Sequence, residues 1–276
     1  MTDPTDRTYV LGTHDEELAR LGLQHRVWRP RVLDVWTSAG ITAGSRVVDL
    51  GCGPGYATVD LAELVGPQGT VVAIERSARF LGHTRAICEQ RGLHNVEYVE
   101  ADLTDAIPLT PSHDVVWCRW VACFVPDVAQ VIRHALNALR PGGKVIFHEY
   151  VNYMALRTIP RLASFDAFVR EVVANWHAEG GEPDSADAVL RELDAHGFDI
   201  HETTSLGYVI DPTQVMWQWP TSFIGVTLDR WADQGRAVDP AVHRLREELA
   251  ALEQLPYARM VTPTVLQIVA QKPFDR

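Results

Sequence analysis

The sequence predicts an α/β fold: a doubly wound, mostly parallel seven-stranded sheet with helices on both faces. Three observations carry that expectation. Short apolar runs alternate with helix-period stretches from residue 46 to 150. The runs are apolar at almost every position, as strands buried on both faces are. Glycines stand where the helical stretches stop, at Gly66, Gly92 and the pair Gly142 and Gly143.

Taken in order, residues 13–40 carry Leu18, Leu21, Val27, Val32, Leu33 and Trp36 at near-helical spacing, with Pro30 as a break between two helical pieces. Arg46–Leu50 reads as a buried strand, followed by a glycine loop and a helix from Tyr56 to Gly66. TVVAIE (70–75) is the second strand. Ser77 then caps a helix with Phe80, Leu81, Thr84, Ile87 and Cys88 on one stripe. VEYVEAD (96–102) and HDVVWCRW (113–120) are the third and fourth strands. Asp127 caps the next helix, a PGG turn closes it, and KVIFHEY (144–150) is the fifth strand. Residues 155–177 read as one helix and 187–196 as another, and Gly197 leads into a strand at Phe198–Thr204. A tryptophan-rich segment precedes the last strand, PTVLQIVAQ (263–271). The expected division is an N-terminal helical arm (1–40), an α/β core (41–150), a helical cap insertion (151–186), the end of the sheet (187–210 and 261–272) and a second helical cap insertion (211–260).

Composition excludes several functions. The chain has 276 residues, 46% of them hydrophobic, enough for a substantial core. Its net charge is −11 and it holds no lysine or arginine cluster, which argues against nucleic acid and anionic membrane surfaces as partners. Cys52, Cys88, Cys118 and Cys123 form no CxxC pair and no metal-type spacing with histidine, so a reduced, cytoplasmic protein without a metal is expected. The opening MTDPTDRTYV is polar and acidic, unlike a signal peptide. No apolar run approaches the roughly 20 residues of a membrane helix. The oligomeric state is not legible.

The segment VVDLGCGPGYATVDLA (47–62) joins the first strand to its helix through Gly51, Gly53 and Gly55. In an open α/β sheet, a loop at that place faces the ligand, and glycine lets the backbone approach it closely. The dinucleotide fingerprint G-x-G-x-x-G would put a third glycine where this chain has Tyr56. The G-x-G-x-G form after VVDL instead resembles motif I of the class I S-adenosylmethionine-dependent methyltransferases. Further residues match that family in order: Glu75 closing the second strand, Asp102 in VEADL, CRWVACFVPD after the fourth strand, and ALRPGGKVIFHEY. The resemblance covers about residues 40–150 and is greatest to small-molecule methyltransferases of quinone biosynthesis and natural-product tailoring.

The resemblance implies S-adenosylmethionine as cofactor and a role for each matched position. Gly51, Gly53 and Gly55 would cup it. Asp49 would steady the loop or the methionine amine. Glu75, with Arg76 beside it, would accept from the ribose hydroxyls. Asp102 and the Leu103 N–H would read the adenine edge. Arg119 and Trp120 would lie beside the methionine portion, and Gln24 would close over the same end from the arm. The plainer readings are a structural ion pair for Arg119 and a solvated amide for Gln24.

A hydroxyl or carbon acceptor needs a base. His113 lies at the wrong end of its strand, whereas His148 and Glu149 end the fifth strand beside the site; His148 is the candidate base and Glu149 the alternative. The competing reading of His148 is a hydrogen-bonded structural histidine. Tyr153, Trp176, Trp217, Trp219 and Phe223 favour an apolar or aromatic small-molecule substrate, although core packing explains them equally well. Two other functions stay open on sequence alone. One is an adenosylmethionine-binding protein with a non-methylating role, such as a cyclase or ligand-responsive partner. The other, disfavoured by Tyr56, is a nicotinamide-dependent oxidoreductase.

Overall fold

Side chains of each central strand alternate between two buried faces, which is why the strands are apolar throughout. In the computed structural model, which describes residues 15–274, the elements run α1 (Asp15–Ala39), β1 (Arg46–Leu50), α2 (Tyr56–Val65), β2 (Thr70–Glu75), α3 (Ala78–Gln90), β3 (Val96–Glu100), β4 (His113–Arg119), α4 (Val128–Ala138) and β5 (Leu139–Asn152). They continue with β6 (Arg157–Ile159), α5 (Ala163–Ala178), α6 (Ala186–Ala195), β7 (Asp199–Leu206), β8 (Val209–Ile210), α7 (Gln218–Asp233), α8 (Leu245–Glu253), β9 (Arg259–Val261) and β10 (Thr264–Gln271). Sequence expectations for residues 1–14 lie outside the described residues.

Seven strands form one mostly parallel sheet, as expected, and their order is β3-β2-β1-β4-β5-β10-β7. β10 alone runs against its neighbours. Val47, Val71, Val115, Trp117 and Ile146 pack toward one face, and Val48, Val72, Val116, Val145 and Phe147 toward the other. Strand order reverses between β1 and β4, so a crevice opens beyond their carboxyl ends.

Three expectations are corrected. α1 runs unbroken through Pro30. That residue lies on the exposed side, where the carbonyl it leaves unpaired meets water, while Trp28, Val32, Val35 and Trp36 hold the opposite side in the core. The PGG stretch does not end before the fifth strand. It is an irregularity inside a longer β5, with a register shift against β4. The helix expected at 155–177 begins only at Ala163, because Ile159 precedes Pro160 and is extended, pairing with Arg259. The tryptophan-rich segment contains α7 and α8, and β8 joins β6 and β9 in a second small sheet, order β6-β9-β8.

The helices outside the sheet pack on one another: α1 on α7, and α5 on α8. Their apolar faces join the α1 side of the sheet in one cluster. No helix among the described residues is long and apolar enough to cross a membrane.

Candidate active site

The β1–α2 loop forms one wall of a cavity at the switch point. Gly53 has φ +54°, lines the cavity, and has nothing within 4 Å of where a Cβ would stand. A ligand's edge can therefore come against its backbone. Gly55 differs: it stands behind the cavity lining rather than in it. It caps α2 at φ +83°, and a Cβ there would come within 2.3 Å of Thr84 on α3, so glycine is required by the turn and by helix packing.

Acidic side chains line the same end. Asp49 is buried, accepts from the Thr58 hydroxyl at 2.7 Å, and is pushed up to about 6 by burial. Glu75 accepts the Gly53 N–H at 3.0 Å and the Ser77 N–H at 2.9 Å, so it holds the glycine loop; burial pushes its carboxyl up. Asp102 accepts from the Thr104 amide and hydroxyl and lies 3.7 Å from Arg76. Burial alone would raise its pKa, but those partners outweigh it and hold the carboxyl below its ordinary value. Gly51, Arg76 and Leu103 complete this end of the lining.

Arg119, at the end of β4, lies over the rings of Trp117 and Trp120 and donates through Nη2 to His25 Nδ1 at 3.0 Å. Burial lowers its pKa to about 10. Trp120 follows at φ +52°, a conformation rare for a bulky residue, and turns its indole between Tyr150 and Trp219, each 5.7 Å away and nearly parallel. Gln24 also lines the cavity, its carbonyl accepting from Arg20 and from the Trp219 indole.

Of the aromatic residues expected in a substrate wall, Tyr153, Trp176, Trp219 and Phe223 line the cavity. Trp217 does not. It sits just ahead of α7 and donates its indole N–H to Glu253 on α8 at 2.8 Å, tying two outer helices together. Residues that sequence reasoning missed also line it, chiefly Arg20 and His25 from α1, Tyr56, Tyr150 and Arg230.

The candidate bases are corrected as well. His148 is fully buried, does not line the cavity, and bonds through Nε2 to Gln267 at 3.0 Å under the rings of Trp28 and Trp117. The structural reading of that histidine holds. Burial, and then the charge of Arg119, lower its pKa to about 3. Glu149 points to the other side of the sheet, accepting from the Val121 and Ala122 N–H groups and the Ser185 hydroxyl. Tyr150, one pleat beyond His148 on the same face, is the β5 residue that reaches the cavity.

The low pKa of His148 has a measurable consequence. A histidine depressed from 6.5 contributes stability that is complete above pH 6.5 and lost as pH falls toward 3. The stability advantage of the wild type over His148→Gln, read by chemical denaturation, should shrink by about 2 kcal/mol between pH 7.5 and 5. A pH-independent difference would contradict the assignment. Among the described residues, no group of three His, Cys, Asp or Glu side chains is placed to hold a metal ion.

Comparison with known proteins agrees with this geometry. Residues 41–200 match the family described as Methyltransferase domain. The chain is 31% identical over 191 residues to nocamycin O-methyltransferase of Saccharothrix syringae, covering 64% of this chain and 68% of that protein. It is 32% identical over 124 residues to demethylmenaquinone methyltransferase of Lactococcus lactis, covering 45% and 48%. Apart from the nocamycin enzyme, the chain spans about half the length of the curated relatives it matches. The solved structure of the [4+2]-cyclase SpnF superimposes with a TM-score of 0.58 at 19% identity, over 89% of this chain and 82% of that one, a likeness of fold alone. The glycine loop at the switch point, its acidic lining and the match across the core give one answer: the chain belongs to the methyltransferase domain family.

Proposed function

We propose that the chain is an S-adenosylmethionine-dependent methyltransferase acting on a small, flat, apolar or aromatic acceptor. One observation supports this most: a single cavity runs from the acidic glycine-loop end (Asp49, Glu75, Asp102) to an aromatic end (Tyr150, Tyr153, Trp176, Trp219). The residues fit the cofactor. Gly53 leaves open space above its backbone, Glu75 retains acceptor capacity beyond its two N–H partners, and Arg119 Nη1 is buried with no hydrogen-bond partner.

When bound, S-adenosylmethionine supplies a methyl group activated on a sulfonium. Glu75 would take the ribose hydroxyls, Asp102 and the Leu103 N–H the adenine edge, and Asp49 the amine. The arm and the two insertions act as the cover. The indole of Trp120, stacked between Tyr150 and Trp219, helps form a flat-sided wall for the acceptor and keeps water out. Orientation of this kind is worth several powers of ten in rate.

The lining also bears on the acceptor's chemistry. Its one histidine among the described residues, His25, has both ring nitrogens engaged, and burial pushes the Tyr150 and Tyr153 hydroxyls up. Arg20, which also lines the cavity, is neutralised by the buried Glu17 at 2.6 and 2.7 Å. A lining whose histidine is engaged at both nitrogens and whose tyrosines stay protonated suits an acceptor oxygen already ionised at neutral pH, a carboxylate or an acidic enol, attacking without a protein base.

Incubation with methyl-tritiated donor and a panel of flat aromatic carboxylates, acidic enols, neutral phenols and amines tests this. The carboxylates or enols should be labelled, with rates that stay flat above the acceptor's own pKa. Labelling confined to the amines would overturn it.

A further inference from the structure

We propose that His25 and Asp60 are positioning residues that aim Arg119 at the carboxylate on the amino-acid end of the cofactor. This rests on the adenosylmethionine reading above and deepens it. Three elements contribute: His25 from α1, Asp60 from α2 and Arg119 from the end of β4. Asp60 accepts from Arg29 Nε at 2.7 Å and lies 3.0 Å from His25 Nε2; His25 Nδ1 lies 3.0 Å from Arg119 Nη2.

The direction of each bond follows from donor chemistry. A guanidinium only donates, so Nδ1 must accept, and the ring proton therefore sits on Nε2, where Asp60 takes it. The imidazole is neutral and fixed in one tautomer by its two neighbours. Burial, which lowers the His25 pKa, supports the same state.

The relay leaves Arg119 held at one nitrogen and open at another. Nη2 is spoken for, while Nη1 is buried and has no hydrogen-bond partner. A buried N–H of a charged group left unpaired is costly, and such groups are normally satisfied. Arg119 lines the cavity together with Asp49, and the two attract each other through space. Asp49 and Arg119 thus offer one negative and one positive group at the same end of the cavity. That is the charge pattern of a zwitterion's partner: ammonium toward Asp49, carboxylate toward Arg119. A second cation on the lining, Arg20, is already bound to the buried Glu17 at 2.6 and 2.7 Å.

Calorimetric titration with two ligands separates this role from mere packing. S-Adenosylhomocysteine carries the amino acid; 5′-methylthioadenosine has the same nucleoside and sulfur without it. The wild type should bind adenosylhomocysteine at least 100-fold more tightly. In His25→Ala that ratio should fall about tenfold, with methylthioadenosine affinity changed less than twofold, and Asp60→Asn should fall between. Normal binding of methylthioadenosine certifies that each variant is folded. A wild-type ratio near one, an unchanged ratio in His25→Ala, or equal loss of both ligands in both variants would overturn the proposal. Silence of the wild type toward both ligands would instead overturn the cofactor reading, and this inference with it.

Discussion

Replacing Glu149 by methionine should cost about 3 kcal/mol or more of folding stability, while Glu149→Gln should cost under about 1 kcal/mol. Methionine keeps the volume but removes the acceptor for the buried Val121 and Ala122 N–H groups and for the Ser185 hydroxyl. Glutamine keeps one oxygen facing the two amides and presents an NH₂ to the serine. The effect should reach the ligand as well. The Val121 side chain stands against Gly51, so close that a Cβ on that glycine would come within 2.5 Å of it. Freeing the 120–123 segment therefore loosens the glycine loop that lines the cavity. Burial raises the Glu149 pKa to about 7 from 4.5, so its contribution is complete below pH 4.5 and lost as pH rises through 7. Glu149→Gln should accordingly gain on the wild type between pH 5 and 8. Urea denaturation of both variants across that range checks the ranking; equal stability of the methionine variant would contradict it.

Glu75→Ala should weaken adenosylhomocysteine about 100-fold, near 2.7 kcal/mol, with little change in fold. Two losses combine. The carboxylate would no longer accept from the ribose, and the Gly53 and Ser77 N–H groups would lose the oxygens that set the glycine loop. Glu75→Gln separates them, since an amide oxygen can still hold one loop N–H; it should fall between. Equal affinity in all three proteins would remove Glu75 from the site.

The parts of this molecule that were legible in the sequence are those written in short stretches. The β1 strand, its glycine loop and the acidic residues ending β2 and following β3 lie within about sixty residues, and strand alternation with helices fixes which end of the sheet they share. What depends on how distant elements dock was not legible. That Tyr150 and not His148 reaches the cavity depends on how far along β5 the cavity sits, and Trp28 and Trp117 cover the nearer position. Trp217 and Trp219 are two residues apart, yet one bonds to α8 and the other to Gln24 because α7 is rotated that way. Arg20 and His25 enter the lining only because α1 lies across the crevice, where the Tyr56 hydroxyl donates to the Leu18 carbonyl at 2.9 Å. Pro30 misled because its exposure, which makes it tolerable mid-helix, is a property of the packed helix and not of the segment.

The central claim is that the glycine loop and its acidic neighbours hold adenosylmethionine. Calorimetric titration of the wild-type chain with adenosylhomocysteine and, separately, with NAD tests it most directly. The account predicts saturable one-to-one binding of adenosylhomocysteine and no heat with NAD. Folded protein that ignores adenosylhomocysteine, or prefers NAD, would contradict it.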